Sequence, residues 1–284
     1  MTHSRSSQFN NAELYENSYK ENFSFGENWK LFLETLDESK VAKAQEHLQN
    51  FIKNDITGKT VIDFGSGSGL MSLCFVLLGA KKVLSVDIDD NSIECAKILR
   101  KKYEISEDIW EIQKGSILDE EFVSSLGKFD IVYSWGVIHH TGNMWKGLAN
   151  ISKLVDVGGL LYIAIYNKSN ILIEGTSGFW EKIKRIYAKN RLIRPLFKLI
   201  YTSYYILGLL TNGINPIRYI REYKSESMRG MDFFRDIEDW LGGHPYEYAS
   251  VEELEKFYTD LGYAMTNTFR ARSIGCNELL FVKK

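Results

Sequence analysis

Val61-Ile62-Asp63-Phe64-Gly65-Ser66-Gly67-Ser68-Gly69-Leu70 is the stretch on which the reading of this chain turns. An apolar run ends in glycines at three alternate positions, and the segment from Leu70 to Gly79 then reads as a helix. A glycine-rich turn between a buried strand and a helix lets backbone approach a ligand where a Cβ would collide. A tight strand–helix connection with no ligand would carry the same glycines, so the motif has to be weighed with its surroundings.

Outward from this turn the apolar pattern alternates. Strands are expected at Thr60–Phe64, Lys82–Val86, Trp110–Gln113, Asp130–Ser134 and Leu160–Tyr166. Helices fall between them at Leu70–Leu78, Ser92–Tyr103, Glu120–Leu126 and Asn143–Leu154. Such alternation means βαβ units and a parallel sheet covered on both faces. Regularity stops after Tyr166 and resumes with a helix at Val251–Leu261 and strands at Tyr263–Phe269 and Leu279–Val282. About nine residues separate the last two strands, too few for a parallel crossover, so the sheet should close on a hairpin. Upstream, helical periodicity runs from Asn28 to Ile52 with a break near Asp37. The expected fold is therefore α/β: a Rossmann-like seven-stranded sheet with an antiparallel last strand and helices on both faces. A helical cap is inserted between the fifth and sixth strands. Residues 1–54 would form an N-terminal helical lid, 55–167 with 249–284 the sheet domain, and 168–248 the cap.

Bulk properties narrow the class. The chain has 284 residues and a net charge of −2, so no global field invites nucleic acid. Its charged (25%) and hydrophobic (44%) fractions are those of a folded globular protein. Cys74, Cys95 and Cys276 lack metal-type spacing, and the first two fall in apolar helical patterns where a thiol is buried and inert. No metal is expected. The polar start, Met1 to Asn11, has no signal-peptide core, and with the cysteines it points to a cytoplasmic protein.

In an open α/β sheet, ligands bind outside the carboxyl ends of the strands. The second strand ends at Asp87, eighteen positions past Gly69, where a carboxylate can accept both hydroxyls of a ribose. Asp89, Asp90 and Asn91 are better placed than Asp87 to cap the following helix. At the third exit, Ser116 could meet an adenine edge while Ile117 packs on its face. The fourth strand ends in Ser134-Trp135-Gly136-Val137-Ile138-His139-His140, which gathers a hydroxyl, an indole and two imidazoles in one turn. Near the N-terminus, Phe25 and Trp29 flank a glycine. They either staple the first helix to the core or form a lid over the glycine turn.

Together these stretches resemble the class I S-adenosylmethionine-dependent methyltransferases, over residues 55–166 and 250–284. The carriers are Asp63-x-Gly65-x-Gly67-x-Gly69, Asp87, Gly115-Ser116-Ile117, Ser134 to His140 and the closing helix–strand–strand unit. Within that family the chain most resembles the ubiquinone-biosynthesis-like small-molecule branch, in part through Phe25-Gly26-Glu27-Asn28-Trp29, Arg229-Gly230-Met231 and Gly242-Gly243-His244-Pro245-Tyr246-Glu247-Tyr248. The resemblance implies that S-adenosylmethionine is the cofactor and S-adenosylhomocysteine the product. It implies that Gly65, Ser66, Gly67 and Gly69 let the methionine part lie on backbone, with Asp63 beneath ordering the turn's amides. Asp87 would hold the ribose, Ile88, Ser116 and Ile117 the adenine, and Ser134, Trp135, Phe25 and Trp29 would complete the cofactor site. Two departures stand out. Many relatives carry aspartate where Ser116 stands, and the Asn-Pro-Pro-Tyr motif of adenine and glutamine methylases is absent at Ser134. The second argues against nucleic-acid bases and release factors as acceptors. The spacing G-x-G-x-G also differs from the dinucleotide fingerprint G-x-G-x-x-G.

Methyl transfer from a sulfonium needs alignment and exclusion of water, and a base only if the acceptor carries a proton to lose. His139, His140 and His244 are the candidate bases, with Glu247 and Glu278 weaker options. The inserted segment should shape the acceptor site. From Lys182 to Lys198 it carries seven basic residues and no acid, and the aromatic-apolar run Leu199 to Leu210 follows. That run is too short for a membrane span, which needs ~20 apolar residues. It suits either peripheral membrane contact through 182–210 or a helical hairpin packed on the domain with one solvated basic face. The expected acceptor is a small molecule or glycan methylated at a hydroxyl, and an anionic or lipid-linked one would use the basic stretch. Nucleic acid is not an expected partner. The alternatives are a protein or RNA acceptor, or a non-catalytic cofactor-binding subunit of the same fold.

Overall fold

The computed structural model describes residue 33 and residues 36–170, 176–226 and 233–284. Phe25, Trp29 and the stretch Arg229-Gly230-Met231 lie outside the described residues. Helix α1 (Glu38–Ile52) begins where Asp37 accepts a hydrogen bond from the Lys40 amide, so the break expected near Asp37 is a helix N-cap. The alternating core then follows as β1 (Thr60–Phe64), α2 (Leu70–Leu77), β2 (Lys82–Asp87), α3 (Asp90–Lys102), β3 (Trp110–Lys114) and α4 (Glu120–Ser125). It continues through β4 (Phe129–Trp135), a 3-10 turn (Ile138–His140), α5 (Met144–Ser152) and β5 (Val155–Tyr166). The last part is α10 (Val251–Asp260), β6 (Tyr263–Phe269) and β7 (Cys276–Lys283).

The seven strands lie in the order β3-β2-β1-β4-β5-β7-β6, and β7 runs antiparallel to both of its neighbours. Because side chains alternate across a strand, Ile62, Phe64, Leu84 and Val86 face α5 and α10, while Val61, Val83, Ile131 and Tyr133 face α1 and α2. Both faces are buried, which is why these strands are mostly apolar on both sides, with Asp63 and Ser85 as buried polar interruptions. Strand β5 starts at Val155 and not at Leu160. Val155 still pairs with Phe129 across a bulge, although Asp156, Val157 and Gly158 are exposed and read as a loop from sequence. The strand order reverses at β1 and β4, so the crevice at their carboxyl ends is the place for a ligand.

Between β5 and α10 the chain makes an excursion through α6 (Ser177–Lys189), α7 (Arg194–Thr211), α8 (Pro216–Glu226) and α9 (Phe233–Gly242). The two ends of this excursion are pinned together by an isolated bridge between Asn167 and Ala249. Its interior is an aromatic cluster of Trp180, Tyr187, Phe233, Ile237, Leu241 and Tyr246, separate from the two sheet-face cores. Among the described residues no helix is long and apolar enough to cross a membrane.

Candidate active site

A cavity of about 720 Å3 runs from the glycine turn, past the ends of β2, β3 and β4, to the aromatic wall of the inserted helices. The turn that floors it is built by backbone. Gly65 and Ser66 both donate their amides to the Val86 carbonyl, and Gly65, Gly67 and Gly69 all adopt positive φ. A Cβ on Gly65 would lie 2.4 Å from the Val137 methyls, so glycine here lets the β4 exit close over the turn. Gly69 serves packing instead: its missing Cβ would lie 3.0 Å from Ala96 and Trp110. Ser66 lines the cavity with a buried hydroxyl that has no hydrogen-bond partner among the described residues.

Two buried carboxylates sit under this floor and do different things. Asp87 accepts the Gly67 amide at 2.9 Å on one oxygen and the Asp89 amide at 3.0 Å on the other. Each oxygen keeps a lone pair, since a carboxylate offers about four acceptor sites. Burial pushes its pKa up to about 6 against those hydrogen bonds. Asp63 was expected to order the turn's amides, and it does not. Its carboxylate accepts from the Ser72 hydroxyl at 2.6 Å, at the end of a buried chain in which the Trp110 indole donates to Ser85 and Ser85 donates to Ser72. Asp87 holds the turn because it reaches across from β2, whereas Asp63 projects from β1 toward α2. Burial raises Asp63 to about 7.

The remaining expected residues divide. Ile88, Ser116, Ile117 and Trp135 line the cavity together with Gly65, Gly67 and Asp87. The Ser116 hydroxyl already accepts the Leu118 amide, which leaves its own proton to donate. Ser134 is fully buried with its hydroxyl donating to the Phe64 carbonyl, and it lies outside the cavity wall, as does Gly69.

His139, His140 and His244 all reach the cavity. The His140 Nδ1 lies 2.7 Å from the Pro245 carbonyl, which can only accept, so Nδ1 carries the proton and Nε2 the lone pair. At His139 the assignment is opposite. Its Nδ1 lies 3.2 Å from the Tyr166 amide, which can only donate, so Nε2 carries the proton. That Nε2–H is buried without a partner among the described residues, on a ring that is 0% exposed and whose centroid lies 3.9 Å from that of Tyr166 and 4.5 Å from that of His140. Burial, reinforced by His140 and Lys184, drives the His139 pKa well below the usual histidine range and keeps the ring neutral. His244 is half-buried, and burial with Arg185 nearby lowers its pKa as well. A Cβ at Gly243 would come within 2.8 Å of the His140 ring, so glycine at this position makes room for the imidazole. Glu247 is engaged in structure: both oxygens accept the Met144 amide at the start of α5.

Glu278 joins a cluster that no spacing in the sequence announces. It accepts from the Tyr162 hydroxyl and sits 3.2 Å from His47 Nε2 on α1, and the Trp135 indole contributes too. Burial works against its charge, but these hydrogen bonds outweigh burial and hold its pKa below the ordinary value. His47 is raised in turn, chiefly by its hydrogen bond to Glu278. His47 and Glu278 both line the cavity and are separated by 231 residues. Tyr201, Tyr205, Tyr223, Phe233 and Trp240 form the wall opposite, with Asp236 and Asp239 among them. Among the described residues no lysine or arginine lines the cavity. The basic stretch is spent elsewhere. Lys184 is buried with its ammonium 3.7 Å from the Trp240 ring centroid and bonded to the Trp240 carbonyl, Arg194 caps α6 carbonyls, and Lys198 pairs with Glu238.

A seven-stranded sheet of this order, with an antiparallel β7 and a ligand crevice at the ends of β1 and β4, is the class I S-adenosylmethionine-dependent methyltransferase fold. A solved neighbour is the magnesium protoporphyrin IX methyltransferase from Synechocystis PCC 6803 with bound SAH. It superposes with a TM-score of 0.51 at 14% identity, covering 87% of this chain and 83% of that one. The family model for ribosomal protein L11 methyltransferase (PrmA) matches residues 41–159. A ribosomal protein L11 methyltransferase of Aliivibrio salmonicida is 54% identical over 43 residues, 15% of either chain. An uncharacterized protein of Methanocaldococcus jannaschii is 30% identical over 142 residues, 48% of this chain and 64% of its own. Each of these two curated relatives is thus matched over less than two thirds of its length.

Proposed function

We propose that this chain is an S-adenosylmethionine-dependent methyltransferase whose acceptor is a small molecule methylated at a hydroxyl oxygen. The cofactor end is supported by an unpartnered Ser66 hydroxyl, an Asp87 with spare lone pairs and the apolar side chains of Ile88 and Ile117, all facing one cavity. When bound there, S-adenosylmethionine supplies an electrophilic methyl group on a sulfonium.

The opposed tautomers of His139 and His140 carry the acceptor assignment. A hydroxyl can give its proton to His140 Nε2, accept the His139 Nε2–H on one lone pair and attack with another. A neutral amine has one lone pair, which attack consumes, and an ammonium has none. His139 therefore favours oxygen over nitrogen, because a buried donor left unpaired costs about 1–3 kcal/mol. Its depressed pKa keeps it a donor and not an imidazolium at neutral pH. The small-molecule reading is supported by the far end of the cavity, which is walled by aromatic side chains of the inserted helices.

A protein acceptor is the second reading, favoured by the match to the ribosomal protein L11 methyltransferase model. That match ends at residue 159, before the end of β5 and before every inserted helix, so it covers cofactor-side elements and not the aromatic wall. The two readings separate when methyl-labelled S-adenosylmethionine is incubated with the protein and a native extract fractionated into small molecules, glycolipids, protein and RNA. Label in a small-molecule fraction as an ether is the expected result. Label confined to protein overturns the hydroxyl reading in favour of the second. His140→Ala should reduce transfer about 100-fold or more while leaving S-adenosylhomocysteine affinity within twofold.

A further inference from the structure

The helix that walls the cavity has a second face. On α7, Tyr201 and Tyr205 line the cavity, and Leu209 is buried on the same side. At 100° per residue the opposite arc carries Leu196, Leu199, Ile200, Tyr204, Leu207 and Leu210, all about half exposed or more. Leu192 before the helix is 92% exposed, and Ile214 and Ile217 continue the exposed apolar surface toward α8. Nine of the nineteen exposed large hydrophobic side chains among the described residues thus fall between residues 192 and 217. A concentration of this kind marks an interaction surface, whereas scattered single residues do not.

Charge identifies the partner. Residues 182–221 contain nine lysines and arginines and no aspartate or glutamate, in a chain whose net charge is −2. Within that stretch Lys182, Lys189, Arg191 and Arg221 are exposed. An exposed apolar helix face with cations in the chain segments on either side of it is the pattern of a helix lying in the headgroup layer of an anionic bilayer. A second copy of the chain would set this basic stretch against itself, and a soluble acidic partner would not need the leucines.

We propose that the outer face of α7, with the start of α8, docks this protein on anionic lipid membranes. Docking lays the helix in the interface with its cavity-lining tyrosines directed away from lipid, and it does not depend on methyl transfer. A helix with its side chains is about 10–12 Å across, so the cavity would lie one helix diameter from the bilayer.

Co-sedimentation with vesicles tests this. The full chain should pellet with phosphatidylcholine vesicles containing roughly 30% phosphatidylglycerol and release as salt rises from about 0.1 M to about 0.5 M. On pure phosphatidylcholine, partitioning should drop about tenfold or more. Leu199→Glu with Leu207→Glu should lose about tenfold or more on the anionic vesicles, and so should Lys189→Glu with Arg191→Glu. The leucine variant should keep the wild-type melting temperature and S-adenosylhomocysteine affinity, since neither leucine lines the cavity. Wild type that stays in the supernatant with anionic vesicles overturns the proposal. So does a dimer, seen by light scattering, that the leucine variant splits while vesicle binding is absent.

Discussion

Replacing Asp63 by asparagine should change stability in a way that depends on pH with a definite sign. Asp63 is 2% exposed, and its pKa is raised from 3.8 to about 7, mainly by burial. A carboxyl whose folded pKa is raised contributes stability that is full below its unfolded pKa of 3.8 and lost as pH rises through the folded value. At about 1.4 kcal/mol per pH unit the loss between those limits is at most about 4 kcal/mol. Relaxation and water entry around a buried charge reduce it, and ~2 kcal/mol is a working figure. In Asp63→Asn the new side chain accepts the Ser72 hydrogen bond through its own oxygen but stays neutral, so the variant escapes the loss. The added amide N–H needs a partner, which sets a constant cost of about 1 kcal/mol that pH does not alter.

The observable is therefore the difference in melting temperature, Asp63→Asn minus wild type, measured in steps from pH 4.5 to 8.5. It should climb by about 4–8 °C over that range, using ~2–4 °C per kcal/mol for a chain of this size, and level off above about pH 8. A difference that stays flat, or that falls with rising pH, would refute the account of Asp63 as a buried carboxylate ionised at a cost. Guanidinium unfolding at pH 5 and pH 8 gives the same comparison as free energies.

Other expectations can be checked alongside. Gly65→Ala places a Cβ 2.4 Å from the Val137 methyls at a φ of +79°, so it should destabilise by about 2–4 kcal/mol in guanidinium unfolding. Adding Val137→Ala should recover part of that loss, and a purely additive pair would show that the clash is not the cause. Glu278→Gln should move the His47 titration, followed by NMR, down toward 6.5, because the hydrogen bond to Glu278 is the main reason it is raised. The paired charges stabilise between the lowered pKa of Glu278 and the raised pKa of His47, so the variant's deficit, roughly 1 kcal/mol for a pair about one third exposed at His47, should be largest near pH 5–6. An unmoved His47 titration would mean the pair is not formed.

Much of the fold was legible because it rests on local pattern. Alternating apolar runs gave the strands of the sheet, and the short gap after Phe269 gave the hairpin that makes β7 antiparallel. The glycine turn was legible for the same reason, since it depends on backbone conformation at a known position along a strand–turn–helix unit. What failed depended on direction. Asp63 and Asp87 are both acids at strand ends, and only the structure shows that one points at the turn while the other points into α2. His47 could not be found, because its partner Glu278 is 231 residues away and each alone looks like an ordinary charged residue. In the inserted helices the seven basic residues between 182 and 198 left more than one reading open, and among the described residues the cavity wall holds carboxylates and no lysine or arginine.

The segment 243–247 ties the inserted helices to the chemistry of the fourth-strand turn. The Pro245 carbonyl sets the tautomer of His140, and Gly243 leaves room for that ring. The Glu247 amide donates to the His139 carbonyl, while its carboxylate holds the first turn of α5 through Met144. Only glycine, a backbone carbonyl, a backbone amide and one carboxylate are involved, yet they fix the His140 ring and tie down the backbone of His139. The inserted helices cannot lift away from the sheet through this segment without releasing the His140 proton from Pro245 and removing the helix cap. The seating of the aromatic wall and the tautomer of His140 are therefore one arrangement. Substitutions within 243–247 should disturb acceptor use while sparing the glycine turn and Asp87, whose hydrogen bonds run between the ends of β1 and β2.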